Sequence, residues 1–394
     1  MQAFKGIRVL DFTHVYAGPF ASFQLAVMGA EVIKIEAPAM PDMIRRDGAD
    51  AKRNQQGLGT AYLANNQGKK AITLDLGKPE ARAIARLLIE SADVLIENYT
   101  RGLAVYDLGA EQALDINPML IYCSMNGFGS HNAYSGRPAY DQVIQAFSGM
   151  MSVNGEATQS RLRVGPPLID YGTGAQAAFA IASALFQRSR TGRGQAIEVN
   201  MLDAALLMMS PLVLDAMHQK KSPERTGNSG RRPGYCVYTC RDEDIMVGAY
   251  TLGQHRKLFD AMELDESLTE ADEADEFYTF RHDQELRQAL SSCFEKQDAS
   301  HWERVLNEHD VPAARVRDLY EVLEETHSQR NPDSQYARLD GNALSMPIAA
   351  FSYQNDGPEF DAYCARHGED TDAVLSGLGV SAEQLGELRE RKVI

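Results

Sequence analysis

Asp170 stands between an apolar run and a long stretch of small residues: Gly165-Pro166-Pro167-Leu168-Ile169-Asp170-Tyr171-Gly172-Thr173-Gly174, then the alanine-rich Ala175 to Phe186. Pro166-Pro167 stiffens the approach and disfavours an early helix start. The sequence therefore predicts a carboxylate at a helix N-terminus, beside glycines that leave the backbone open to a ligand. A carboxylate is a poor nucleophile in water and a competent one when positioned and dry. The same position also suits a plain N-cap, and the two roles are compatible. A second carboxylate, Asp141, follows Tyr140 in Gly136-Arg137-Pro138-Ala139-Tyr140-Asp141-Gln142, near the start of another expected helix. Asp141 there either favours the helix N-terminus or serves chemistry. Tyr140 is either core with a satisfied hydroxyl or part of the site.

No metal site is expected. The five cysteines are scattered, and Cys236 and Cys240 alone lie close together. No grouping has zinc spacing, so two buried thiols are the simpler reading of that pair. Reduced thiols and the want of a cleavable apolar leader predict a cytoplasmic protein. No apolar run is long enough to span a bilayer. With a net charge of -16, nucleic acid is not an expected partner. A ligand carrying phosphates would need locally placed cations or helix N-termini.

The elements that must hold these groups alternate strand and helix over the first two hundred residues. Strands are expected at Ile7 to Phe12, Glu31 to Glu36, Ala71 to Leu76, Asp93 to Asn98 and Leu120 to Met125. Helices are expected at Ala17 to Gly29 and Pro79 to Glu90, the latter with proline in its tolerated first turn. Such alternation predicts a parallel α/β sheet of Rossmann-like type, with ligands outside the strands' carboxyl ends. The first of those ends is Thr13-His14-Val15-Tyr16-Ala17-Gly18-Pro19, which lacks the three glycines of a dinucleotide site. The fold class is thus α/β without the nicotinamide fingerprint. Domains are expected at 1–202 (large), 203–234 (linker helix and loop), 235–325 (small α+β) and 326–394 (a return linker and C-terminal segment packing on the large domain).

Several stretches together resemble the class III CoA-transferase family (CaiB/BaiF type). They are Gly6-Ile7-Arg8-Val9-Leu10-Asp11-Phe12-Thr13-His14-Val15, Ala17-Gly18-Pro19, Gly29 to Glu36, Glu97-Asn98-Tyr99, Thr191-Gly192-Arg193-Gly194-Gln195 and Gly368-Glu369-Asp370-Thr371. The resemblance implies a large domain built from the N-terminal part plus the C-terminal tail, and an interlocked homodimer. It implies no permanently bound cofactor: coenzyme A and its acyl thioesters are substrates, with a carboxylic acid as acceptor. It makes Asp170 the covalent nucleophile, carrying first an acyl anhydride and then a CoA thioester, with Tyr140 and Asp141 in support. A site buried between domains or chains would keep water from the anhydride. By the same resemblance His14, Val15, Tyr16, Ala17, Leu74, Leu76, Asn98, Tyr99 and Arg101 line the CoA groove, with Lys78 as another nearby cation.

The racemase branch of the family resembles Gly-His-Asp where this chain has Ala139-Tyr140-Asp141. A phenol is a far weaker base than imidazole at neutral pH. Transfer is therefore expected, with racemisation or acyl-CoA binding without turnover as alternatives. Formyl-CoA transferase resembles this chain except for a glutamine at the place of Tyr16 and a glycine run that Thr251-Leu252-Gly253-Gln254-His255 does not match. A larger tyrosine would either shrink the acyl pocket or stack on a ligand. Arg231-Arg232 would offer a fork for an acceptor's second carboxylate, or a solvated basic linker.

Overall fold

The structure is a computed structural model. It describes residues 1–230, 232–268, 270–272, 279–327, 336–339, 344–359 and 363–394. The chain divides into two compact units. One comprises Met1–Met150, Arg163–Leu214 and Asn331–Ile394; the other comprises Met151–Leu162 and Asp215–Arg330.

The larger unit is built on six parallel strands: β1 Arg8–Phe12, β2 Glu31–Glu36, β3 Lys70–Thr73, β4 Val94–Glu97, β5 Ile121–Asn126 and β6 Gln195–Asn200, in the order β3-β2-β1-β4-β5-β6. Five of these are the expected strands. The sixth had no apolar run to announce it, because its residues alternate between half-buried and exposed. The order reverses between β1 and β4, which opens a crevice at the carboxyl edge there.

Both faces of the sheet are covered, which is why its strands read as apolar runs. Successive side chains point to opposite faces. Leu10, Ile33, Ile72 and Leu95 pack on one side with Ile84 and Leu88 of the helix Pro79–Glu90. Val9, Val32, Val94 and Ile121 pack on the other with two helices. These are α1, Ala17–Ala26, and a 24-residue helix, Leu168–Thr191. The C-terminal segment joins the first face through Leu375, Leu385 and Val393. Asp370 accepts from the Ala71 N–H at 2.8 Å, so the tail is stitched to β3.

The smaller unit holds a three-stranded antiparallel sheet of Val237–Thr239, Asp244–Val247 and Ala313–Arg315. Its core gathers Ile245, Leu258, Leu290, Phe294, Trp302 and Leu306. Cys236 and Cys240 are both buried free thiols.

The observed boundaries differ from those read in the sequence. Residues 151–162 cluster with the smaller unit although they lie within the expected large domain. Of residues 203–234, expected as a linker helix and loop, the chain to Leu214 clusters with the larger unit and the rest with the smaller. They begin with two helices, Met201–Met208 and Ser210–Gln219, bent by 82° at the break before Pro211. Within the return segment, residues 328–335, 340–343 and 360–362 lie outside the described residues, as does Arg231 of the basic stretch.

Candidate active site

A cavity of about 540 Å³ opens at the carboxyl edge of the parallel sheet. Its wall takes His14 to Ala17 from after β1, Met40 and Met43 from beyond β2, and Leu74 to Gly77 from after β3. Asn98 to Thr100 follow β4, and Met125 to Phe128 span the end of β5 and the two residues after it. Gly136 to Tyr140, Asp170 and Thr173 also line it, with Ala37, Pro41, Tyr106 and Met201. Of the twelve residues expected in catalysis or along the CoA groove, ten line this one cavity. Arg101 and Asp141 do not.

Asp170 lies on the third residue of the long helix α3 (Leu168–Thr191), with α2 (Asp141–Phe147) packed beside it. The N-cap is Pro167, so Asp170 is not the cap. The proline pair does not delay the helix past Leu168, because a proline just before the first turn costs no hydrogen bond. Pro167 has no side-chain acceptor for the open N–H groups. Asp141 supplies one from across the fold: its Oδ2 accepts from the Ile169 N–H at 2.7 Å and the Asp170 N–H at 3.0 Å. Asp141 is itself buried, and Gln145 Nε2 donates to its other oxygen at 2.6 Å. Asp141 therefore works from behind the wall, holding the backbone that carries Asp170.

Only 8% of Asp170 is exposed. Among the described residues its carboxylate accepts no hydrogen bond. Burial first, and then the negative charge of Asp141, push its pKa up to about 7. A carboxylate so desolvated keeps its lone pairs for a substrate rather than for water.

The neighbouring glycines do not open the backbone to a ligand. A Cβ on Gly174 would fall 2.5 Å from the Ala17 carbonyl oxygen, and one on Gly172 2.7 Å from Met208. They are small because protein packs against them. Gly174 lets α3 approach α1 closely, which brings the β1 loop alongside Asp170.

That loop is tightly held. His14 N–H donates to Asn98 Oδ1, and Asn98 Nδ2 returns a bond to the His14 carbonyl, both at 2.9 Å. The His14 ring meets Tyr99 edge-on at 5.4 Å. Burial and the Lys34 charge lower its pKa, which favours neutral imidazole. Tyr16 is stacked on Tyr171 at 6.3 Å, and Tyr171 is braced by Phe20 and by Asn65 Nδ2 at 3.3 Å. One face of the Tyr16 ring is thus already taken, which favours a narrowed cavity over stacking on a ligand. Tyr140 is 54% exposed at the N-cap of α2, so it is not a core tyrosine.

The cations differ from those expected. Arg101 is exposed, off the cavity wall. Lys78 Nζ bonds the carbonyls of Arg391 and, at 2.9 Å, Lys392. Arg137 is instead the one lysine or arginine among the described residues of the lining. Its guanidinium sits 4.6 Å over the ring of Tyr134, which packs on Phe128 and Phe147. Its place three residues before Tyr140 was the available signal. Met40, Met43 and Asn126 to Phe128 were also missed, although the strand-end rule points at their loops. Arg232 lies over the Tyr250 ring in the smaller unit.

The chain is similar to known proteins over most of its length. The model of "CoA-transferase family III" matches residues 4–371. The chain is 33% identical over 330 residues to a succinate–glutarate CoA-transferase of Agrobacterium fabrum, covering 82% of each. It is 31% identical to a human succinyl-CoA:glutarate CoA-transferase, over 83% of this chain and 74% of that one. It is 33% identical to an acetyl-CoA:oxalate CoA-transferase of Acetobacter aceti, over 81% and 82%. A CaiB/BaiF family protein from Brucella suis superposes with a TM-score of 0.81 at 27% identity, over 96% of this chain and 99% of that one.

Proposed function

The chain belongs to CoA-transferase family III, and from that premise we propose that it moves CoA between small carboxylic acids, at least one of them dicarboxylic, with Asp170 as the covalent nucleophile. The observation that carries the reading is the Asp170 carboxylate, buried, without a hydrogen-bond partner among the described residues, and set in the wall of the sheet-edge cavity. The acid class follows the names of the relatives, which pair CoA with succinate and glutarate, or with acetate and oxalate.

In this scheme an Asp170 oxygen attacks the thioester carbonyl of the donor. The C–S bond breaks and CoA leaves as thiolate, giving a mixed anhydride. The thiolate then attacks the aspartyl carbonyl and expels the donor acid as a carboxylate. The acceptor carboxylate attacks the resulting aspartyl-CoA thioester, and the returning thiolate takes the new acyl group. One thioester is consumed and one formed, so no energy source is needed. Asp170 begins and ends as a carboxylate, ready because it is dry. Oxyanions form at each step and call for preorganised N–H donors. The first turn of α1 begins at Ala17 on the cavity wall and has no side-chain cap, which suits it to that role. Tyr140 borders the same space, and Asp141 fixes the helix start. CoA and its thioesters occupy the groove as substrates, along His14 to Ala17, Leu74, Leu76, Asn98 and Tyr99. Arg137, rather than Arg101, is the cation placed for an anionic end of the ligand. The working form is a homodimer.

The test is a panel of CoA donors against mono- and dicarboxylic acceptors, read by mass spectrometry. Hydroxylamine added during turnover should convert Asp170 to its hydroxamate, and Asp170→Ala should exchange no label between CoA and free acids. Full activity in that variant would overturn the nucleophile. Uptake of solvent deuterium at the α-carbon without an acceptor would instead favour a racemase.

A further inference from the structure

Val15 sits on the cavity wall with a φ of 70°. That is the left-handed region, where a β-branched residue is an outlier and persists only if its surroundings over-determine it. The structure shows what does so. Both carboxylate oxygens of Asp42 lie 3.2 Å from the Val15 N–H. Asp42 is buried, and its own charge is matched by buried Lys34, whose Nζ lies 3.2 Å away. The same Nζ donates to the Thr13 carbonyl at 2.6 Å, on the other side of the turn. Asp42 is held in place as well: its N–H donates to Glu36 Oε1 at 2.9 Å, and Glu36 pairs with Arg45 at 2.6 Å. Met40, Pro41 and Met43, its sequence neighbours, face the cavity.

We infer that Asp42 is a positioning residue for the CoA-binding wall: its carboxylate holds Val15 in the strained turn and locks the segment after β2 to the loop after β1. It never touches the ligand; it acts through the Val15 backbone. The inference deepens the proposed function and rests on it for the identity of the ligand. Its physical content is that the need for Asp42 comes from the conformation imposed on residue 15. Glycine takes positive φ without that penalty, so replacing Val15 should relieve the dependence on Asp42.

The test is a double-mutant cycle on the full chain, with CoA binding read by calorimetry and acyl transfer read alongside. Asp42→Ala should raise the Kd for CoA about tenfold or more, and should act on KM more than on kcat. In a Val15→Gly background the same substitution should cost less than about threefold. In a Val15→Ala background, which removes both methyl groups but keeps the Cβ and its conformational penalty, the large effect should return. An equal loss in all three backgrounds would overturn the inference and leave Asp42 a partner for Lys34 and a cap for the Ile44 N–H. Where Asp42→Ala fails to fold, melting temperatures decide: Val15→Gly should melt above Val15→Ala, and an equal or lower value overturns the strain. A wild-type protein that transfers no CoA would sink the proposed reaction, while the binding cycle still decides the role of Asp42.

Discussion

At the scale of the residue, the pair Asp141 and Asp170 sets both reactivity and cost. Asp170 ionises near pH 7 in the fold, against an ordinary 3.8. Between those values the folded chain holds a proton that the unfolded chain has released, so stability falls as pH rises through this window. In the proposed reaction Asp170 must be ionised to attack, so transfer should rise with pH and level off above about 7. Asp170→Asn removes the buried charge. It should abolish transfer yet raise the melting temperature at about pH 8 by about 2–4 °C. The gain should shrink toward about pH 4, where the wild-type group is neutral; a variant less stable at the higher pH would refute this account. Asp141→Asn keeps an acceptor for the helix start, since Asn is itself a good cap, but removes the neighbouring charge. The acid limb of the rate profile should move to lower pH by about half to one pH unit. An unmoved limb would mean that burial alone raises Asp170. Asp170 was legible in the sequence, as a carboxylate at the head of a long helix. The cap was not, because it comes from Asp141, 29 positions away, and only the folded backbone brings the two together.

At the scale of the element, the parallel sheet was legible because strands covered on both faces must be apolar throughout. β6 escaped because Gln195, Glu198 and Asn200 interrupt its pattern, and only its pairing with β5 makes it a strand. The glycines after Asp170 were misassigned for a related reason: a sequence shows that space is left, not what fills it. The two positions now make opposite predictions. Gly174→Ala sets a Cβ against backbone, the Ala17 carbonyl, so α1 and α3 must part. It should cost about 1–3 kcal/mol, as overpacking does, and lower transfer by displacing the β1 loop. Gly172→Ala meets only the flexible end of Met208, and alanine is the better helix former by about 1 kcal/mol. It should leave thermal stability unchanged or higher. Equal losses at both positions, measured by denaturant unfolding, would show that the close helix contact is not what Gly174 provides.

At the scale of the molecule, the link between Gly368 to Thr371 and the first strands was visible only as a resemblance. Nothing in the periodicity of the chain says that Asp370 bonds Ala71, across 299 positions. The same limit hid the membership of residues 151–162 in the smaller unit. What the single chain leaves uncovered bears on assembly. Phe179 and Phe186 on α3 are 71% and 64% exposed, and Leu207 and Leu214 on the helices that follow β6 are similarly bare. Large apolar side chains repeated over consecutive helices need a cover, and a second copy of this chain is the cover the proposed homodimer supplies. Light scattering should therefore give twice the mass of the chain. If the two chains are interlinked like rings, dilution will not release folded monomers, because parting them requires unfolding. Loss of the dimer and loss of helix signal should then coincide across a denaturant series, at a midpoint that rises with protein concentration. Phe179→Glu with Phe186→Glu, which charges the uncovered face, should lower that midpoint. A folded monomer appearing on dilution of the wild type would rule out interlinked chains, and a monomer at every concentration would rule out the dimer itself.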